Sequence, residues 1–185
     1  IHSLYEINRR SNDPDLVPIE TTAFLGSTSL AGAAAVMQRL QIWHHTDSER
    51  TFFERDEFER SSCAAPVLRN SQLAGVLIFS SSQPDFFKNT LACQAATEFA
   101  LLMAVAISDN EFYQPSLLNL RPMPDLKWQR KRIAETYLDR VIMCAQSHSI
   151  ARRDAELQVQ DEMELEFEAE ARRMLEQRQK EVEEV

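Results

Sequence analysis

Cys63 to Phe87 reads CAAPVLRNSQLAGVLIFSSSQPDFF, and this stretch decides the fold. Two apolar runs, 63–68 and 73–79, flank the short polar segment Arg69 to Gln72, which is the pattern of a β-hairpin. Pro66 has no backbone N–H and is expected where the ladder needs no donor. Ser80 to Asp85 is polar and carries Pro84, so it reads as a loop.

Downstream, the spacing predicts a long helix from Lys88 to Phe112. Leu91, Ala95, Phe99, Leu102 and Ala106 recur at intervals of three and four. Every residue from Ala100 to Ile107 is apolar. One sheet cannot cover such a helix on all sides, so a second helix or a second subunit is expected, and we expect a homodimer through 88–112.

Upstream, Gly26 to Ser29 places a hydroxyl before the alanine-rich run Leu30–Arg39, predicting a Ser-capped helix. Leu40 to His45 reads as a strand. The charged stretch Glu49–Ser61, with Phe52, Phe53 and Phe58, reads as a helical or irregular crossover. Ile1–Arg10 half-alternates as a strand would, and residues 11–15 contain the Asn, Asp and Pro of a turn.

Tyr113 to Pro124 contains three prolines and reads as an extended linker. Asp125 is placed to cap a helix through Gln146, followed by a break at 147–149 and a final helix from Ile150 to Val185. Residues 161–170 alternate with period two. A strand is nevertheless excluded, because the residues are helix formers and six carboxylates would crowd one sheet face. As a helix, Ala151, Ala155, Val159, Met163, Phe167, Ala171 and Leu175 fall at steps of four. Such a stripe winds round the helix and does not form a fixed heptad seam. Glu168 and Arg172 are spaced as an ion pair.

The 185 residues carry a net charge of −9. An acidic surface argues against nucleic-acid partners and anionic membranes, which require positive charge. No apolar run approaches the roughly 18 residues that span a bilayer. Three cysteines without CxxC spacing point away from disulfide frameworks and zinc ribbons and toward a reducing cytosol. His44 and His45 are adjacent on a predicted strand, so they face opposite ways and cannot share a metal. There is no Gly-x-Ser-x-Gly elbow and no glycine-rich phosphate loop, so catalysis is not expected.

Residues 63–87 with the apolar helix after them, together with Gly26-Ser27-Thr28-Ser29-Leu30-Ala31-Gly32, resemble the GAF domain family over roughly residues 20–112. The resemblance implies an α+β fold, with an antiparallel sheet of five or six strands, helices on both faces and a ligand cavity on one. An all-α extension would follow. It divides the chain into a GAF-like sensor domain at 1–113, a linker at 114–124 and a helical extension at 125–185. Fewer residues precede Gly26 than the family has, so its first helix and first strand are expected to be missing. Ile1 is not an initiator Met, which also suggests a fragment.

The implied function is signal transduction by binding a small molecule of unknown identity, with no cofactor specified. Candidate pocket residues are Phe24, Ser29, Trp43, His45, Phe52, Phe53, Cys63 and Ala65. The alternatives are a dimerisation scaffold without a ligand and a phytochrome-like photosensor. The chain lacks the Asn-Lys signature of cyclic-nucleotide-binding members and the Cys-His pair that anchors bilins. A GAF-like methionine sulfoxide reductase is the enzymatic relative worth naming, but it uses neighbouring strand and loop cysteines, whereas Cys93 and Cys144 are predicted on helices.

Overall fold

The computed structural model describes residues 1–5, 24–44 and 59–183 and divides into two compact units. His45, Phe52, Phe53, the 11–15 turn and nearly all of the 49–61 crossover lie outside the described residues, as does the 1–10 strand beyond Tyr5. The fold is mixed α+β with antiparallel sheets. Short strands β1 (Leu4–Tyr5) and β2 (Phe24–Leu25) pair with each other.

The first unit comprises Ile1–Leu4 and Leu25–Arg121. Its centre is a three-stranded antiparallel sheet in the order β3 (Gln41–His44), β4 (Ser61–Arg69), β5 (Gln72–Ser81). The β4–β5 hairpin is longer than its apolar runs, because its turn tightens to Asn70 and Ser71. Both have positive φ, 49° and 60°. Two left-handed residues give a turn whose twist matches the flanking strands. Arg69 and Gln72 can then pair, while an irregularity at Val67/Leu68 absorbs the change of register.

The pleat sends alternate side chains to opposite faces. Trp43, Ala64 and Val76 face helix α1 (Leu30–Met37) and pack with Leu30 and Ala34. Ile42, Cys63, Ala65, Leu77 and Phe79 face helix α2 (Thr90–Ala106). α1 begins as expected, with Ser29 Oγ accepting from Gly32 N at 2.9 Å. It stops at Met37, where Gln38 turns left-handed (φ 51°).

α2 is shorter than the predicted 88–112 span. Asn89 caps its start by accepting from Leu91 N, and the backbone turns extended at Ile107. Only its alanines at every fourth position, Ala96, Ala100 and Ala104, are fully buried. Small side chains let the helix lie close on the sheet. The same arrangement turns Leu91, Phe99, Leu101, Leu102, Met103 and Val105 outward, with Leu91 73% and Val105 82% exposed.

Arg69 closes the far end of α2. Its guanidinium donates to the carbonyls of Ala104 and Ile107, pairs with Asp109 and lies over the Phe112 ring at 4.3 Å from its centroid. These carbonyls have no partner within the helix, so a cation there satisfies both their hydrogen bonds and the helix dipole.

The second unit comprises Tyr5–Phe24 and Pro122–Val185. Asp125 caps α3 (Leu126–His148) by accepting from Trp128 N at 2.8 Å. Ser149 then turns left-handed, and α4 (Arg152–Glu183) follows. The four-residue stripe is the core of this unit: Ala155, Val159, Met163, Phe167 and Ala171 are each at most 1% exposed. Rows at i±4 are natural packing ridges of a helix. Ile133, Val141 and Cys144 of α3 join the cluster, as do Phe24 and Met123. Gln129 is wholly buried and acts as a backbone surrogate. Its amide accepts from Phe24 N at 2.9 Å and donates to the carbonyls of Phe24 and Pro124.

Candidate functional site

Polar groups gather at the end of the sheet where β3 stops, β4 starts and β5 stops. The register sets two rows: Trp43 opposite Ser62 opposite Ser80, and His44 opposite Ser61 opposite Ser81.

The first row faces α1. Ser62 donates to the Glu59 carboxylate, and Ser80 donates to the same oxygen at 2.7 Å. A carboxylate with further lone pairs, flanked by two hydroxyls, can hold a hydrogen-bond donor of a small molecule.

The second row faces α2 and combines a serine, a histidine and an aspartate. Ser61 Oγ lies 3.3 Å from His44 Nδ1, and Asp85 Oδ1 lies 3.7 Å from that same nitrogen. A nucleophilic triad needs the hydroxyl and the carboxylate on different ring nitrogens. Here Ser61 is also wholly buried and accepts from Phe87 N at 3.3 Å. The row therefore ties the start of β4 to the turn before α2, and it lacks the geometry to activate a hydroxyl.

Among the described residues of the first unit, the candidates from the sequence do not share one face of the sheet. Ser29 is occupied as a cap, accepting from Gly32 and donating to Gly26 O at 2.8 Å. Trp43 is packed on the α1 side, whereas Cys63 and Ala65 lie on the α2 side, because residues 43 and 62 are paired and 63 must then face away. Phe24 sits in the core of the second unit, edge-on to Phe167. His45, Phe52 and Phe53 fall outside the described residues. The Glu59–Ser62–Ser80 group was missed. Its signal was the serine pair at each free end of the hairpin, 61–62 and 80–81, which antiparallel pairing must bring together.

Two shallow grooves occur away from this sheet end. One, of about 380 Å³, is lined by Leu40, Thr90, Cys93, Gln94, Thr97 and Glu98. The other, of about 340 Å³, is lined in the second unit by Trp128, Lys131, Arg132, Glu135 and Glu166. The cations of the second groove face carboxylates: Arg132 and Arg140 both bind Glu166 at 2.6 Å, and Lys131 lies 3.9 Å from Glu135. The expected pair Arg172–Glu168 is present at 2.7 Å. Among the described residues, no group of three His, Cys, Asp or Glu is placed to hold a metal, and no helix is long and apolar enough to cross a membrane.

All three cysteines are free. Burial pushes the Cys63 thiol up to about 12, with the neighbouring Cys93 adding to it, and burial also raises Cys93. Thiolate is the reactive form. Burial also opposes ionisation of Glu166, but the hydrogen bonds from Arg132 and Arg140 outweigh it and hold that carboxyl below its ordinary value.

These two groups make stability fall in opposite directions of pH. Above about 9, where an unfolded Cys63 loses its proton, the native thiol keeps it, so stability drops as pH rises toward about 12. Glu166 contributes above the ordinary carboxylate range, and its contribution is lost as pH falls through its lowered value. Urea titrations across pH, comparing wild type with Cys63→Ala and Glu166→Gln, will show each variant removing its own limb. A Cys63→Ala profile that still matches wild type above pH 9 would refute the assignment.

Compared with known proteins, the sequence matches no family model and no curated protein.

Proposed function

We propose that the chain is a regulatory module of signal transduction, of the GAF type, which dimerises through α2 and passes its state to the helical unit that follows. The observation that carries this reading is the outward face of α2. Leu91, Leu101, Leu102 and Val105 are exposed on a helix whose 17 residues include one charge, Glu98. Contiguous exposed apolar surface of this kind marks an interaction site. The order of elements supports the GAF likeness: a Ser-capped helix, a strand, a hairpin and a long helix, with the two helices on opposite faces of the sheet.

The module would bind its small molecule at the sheet end, where Glu59, Ser62 and Ser80 offer the polar contacts. A ligand shifts such a module only by its difference in affinity between states. A second reading, a scaffold without a ligand, is favoured by one observation. The ring of Trp43 is already covered by Leu30, Ala34 and Ala64, which leaves that part of the α1 side filled.

Thermal-shift measurement across a metabolite panel separates the two. Sensing requires a compound that raises Tm by mass action, and whose effect is lost in Ser62→Ala and Glu59→Gln. A panel without a stabilising compound, or a compound equally effective on both variants, selects the scaffold or moves the site elsewhere. Visible absorbance after exposure to bilin would instead support a photosensor.

A further inference from the structure

We draw no further inference here: the strongest candidate, the groove of the helical unit lined by Trp128, Lys131, Arg132, Glu135 and Glu166, has its cations paired with its own carboxylates, and nothing in the structure shows what would occupy it.

Discussion

Phe167→Ala will remove about 3–5 kcal/mol from the helical unit, the cost of truncating a large buried aromatic without collapse of the space it leaves. Phe167 is wholly buried and lies edge-on to Phe24 at 5.5 Å and to Trp128 at 5.3 Å. Each aromatic pair adds about 0.5–1.5 kcal/mol beyond the area it buries. The cavity would be bordered by the rings of Phe24 and Trp128, within a cluster that includes Met123, Ile133, Val159 and Met163. Urea unfolding followed by helical circular dichroism will show the loss as a lower midpoint at constant slope. Leu157→Ala on the exposed side of α4 is the control and will stay within about 0.5 kcal/mol of wild type. A Phe167→Ala midpoint as high as that of Leu157→Ala would mean that the four-residue stripe is not the core.

Gly32→Ala will destabilise the first unit by about 1–4 kcal/mol, although the same change in an ordinary helix stabilises it by about 1 kcal/mol. A Cβ on residue 32 would sit 1.9 Å from the carbonyl oxygen of Gly26 and 2.7 Å from its carbon. Both are backbone atoms, so the loop must move. Moving it breaks the bonds of Ser29 to Gly26 O and from Gly32 N. Overpacking costs about 1–3 kcal/mol and a lost N-cap about 0.5–2 kcal/mol, which together outweigh the gain in helix propensity. Gly75→Ala is the contrast: a Cβ there meets nothing within 4 Å, so it will be neutral or stabilising. Thermal unfolding of the two variants will shift in opposite directions or by clearly different amounts. Equal shifts would refute the close approach at Gly32.

Much of the fold was legible because its signals are local. The Asn70–Ser71 turn lies between two apolar runs, Ser29 and Asp125 are capping residues at the right distance, and the 161–170 carboxylates suit a helix better than a strand. Gly32, in the Gly26–Gly32 element, becomes a steric necessity once α1 has folded. The candidate site was legible only in part. Ser29 and Trp43 meet α1, whereas Cys63 and Ala65, grouped with them as pocket candidates, are turned to the other face by β3–β4 pairing. Phe24 read as a pocket aromatic because it precedes the Gly26 element, whereas Gln129 holds its backbone in the helical unit, 105 positions away in sequence.

The predicted helix 88–112 shows the division most clearly. Its apolar pattern determined, from sequence alone, that the segment is helical and has more to bury than one sheet can accept. Which side goes down was decided by the sheet. Only a row of alanines fits closely over Cys63 and Ala65, so Ala96, Ala100 and Ala104 turn inward and the larger side chains are left outside. The hairpin likewise fixed that serines 61–62 and 80–81 would meet. Only the pairing of β3 with β4 determined that one serine faces Trp43 and the other His44. Local propensity reaches along a few residues of chain. The face that each residue presents depends on which distant strand or helix it meets, and that is set by packing.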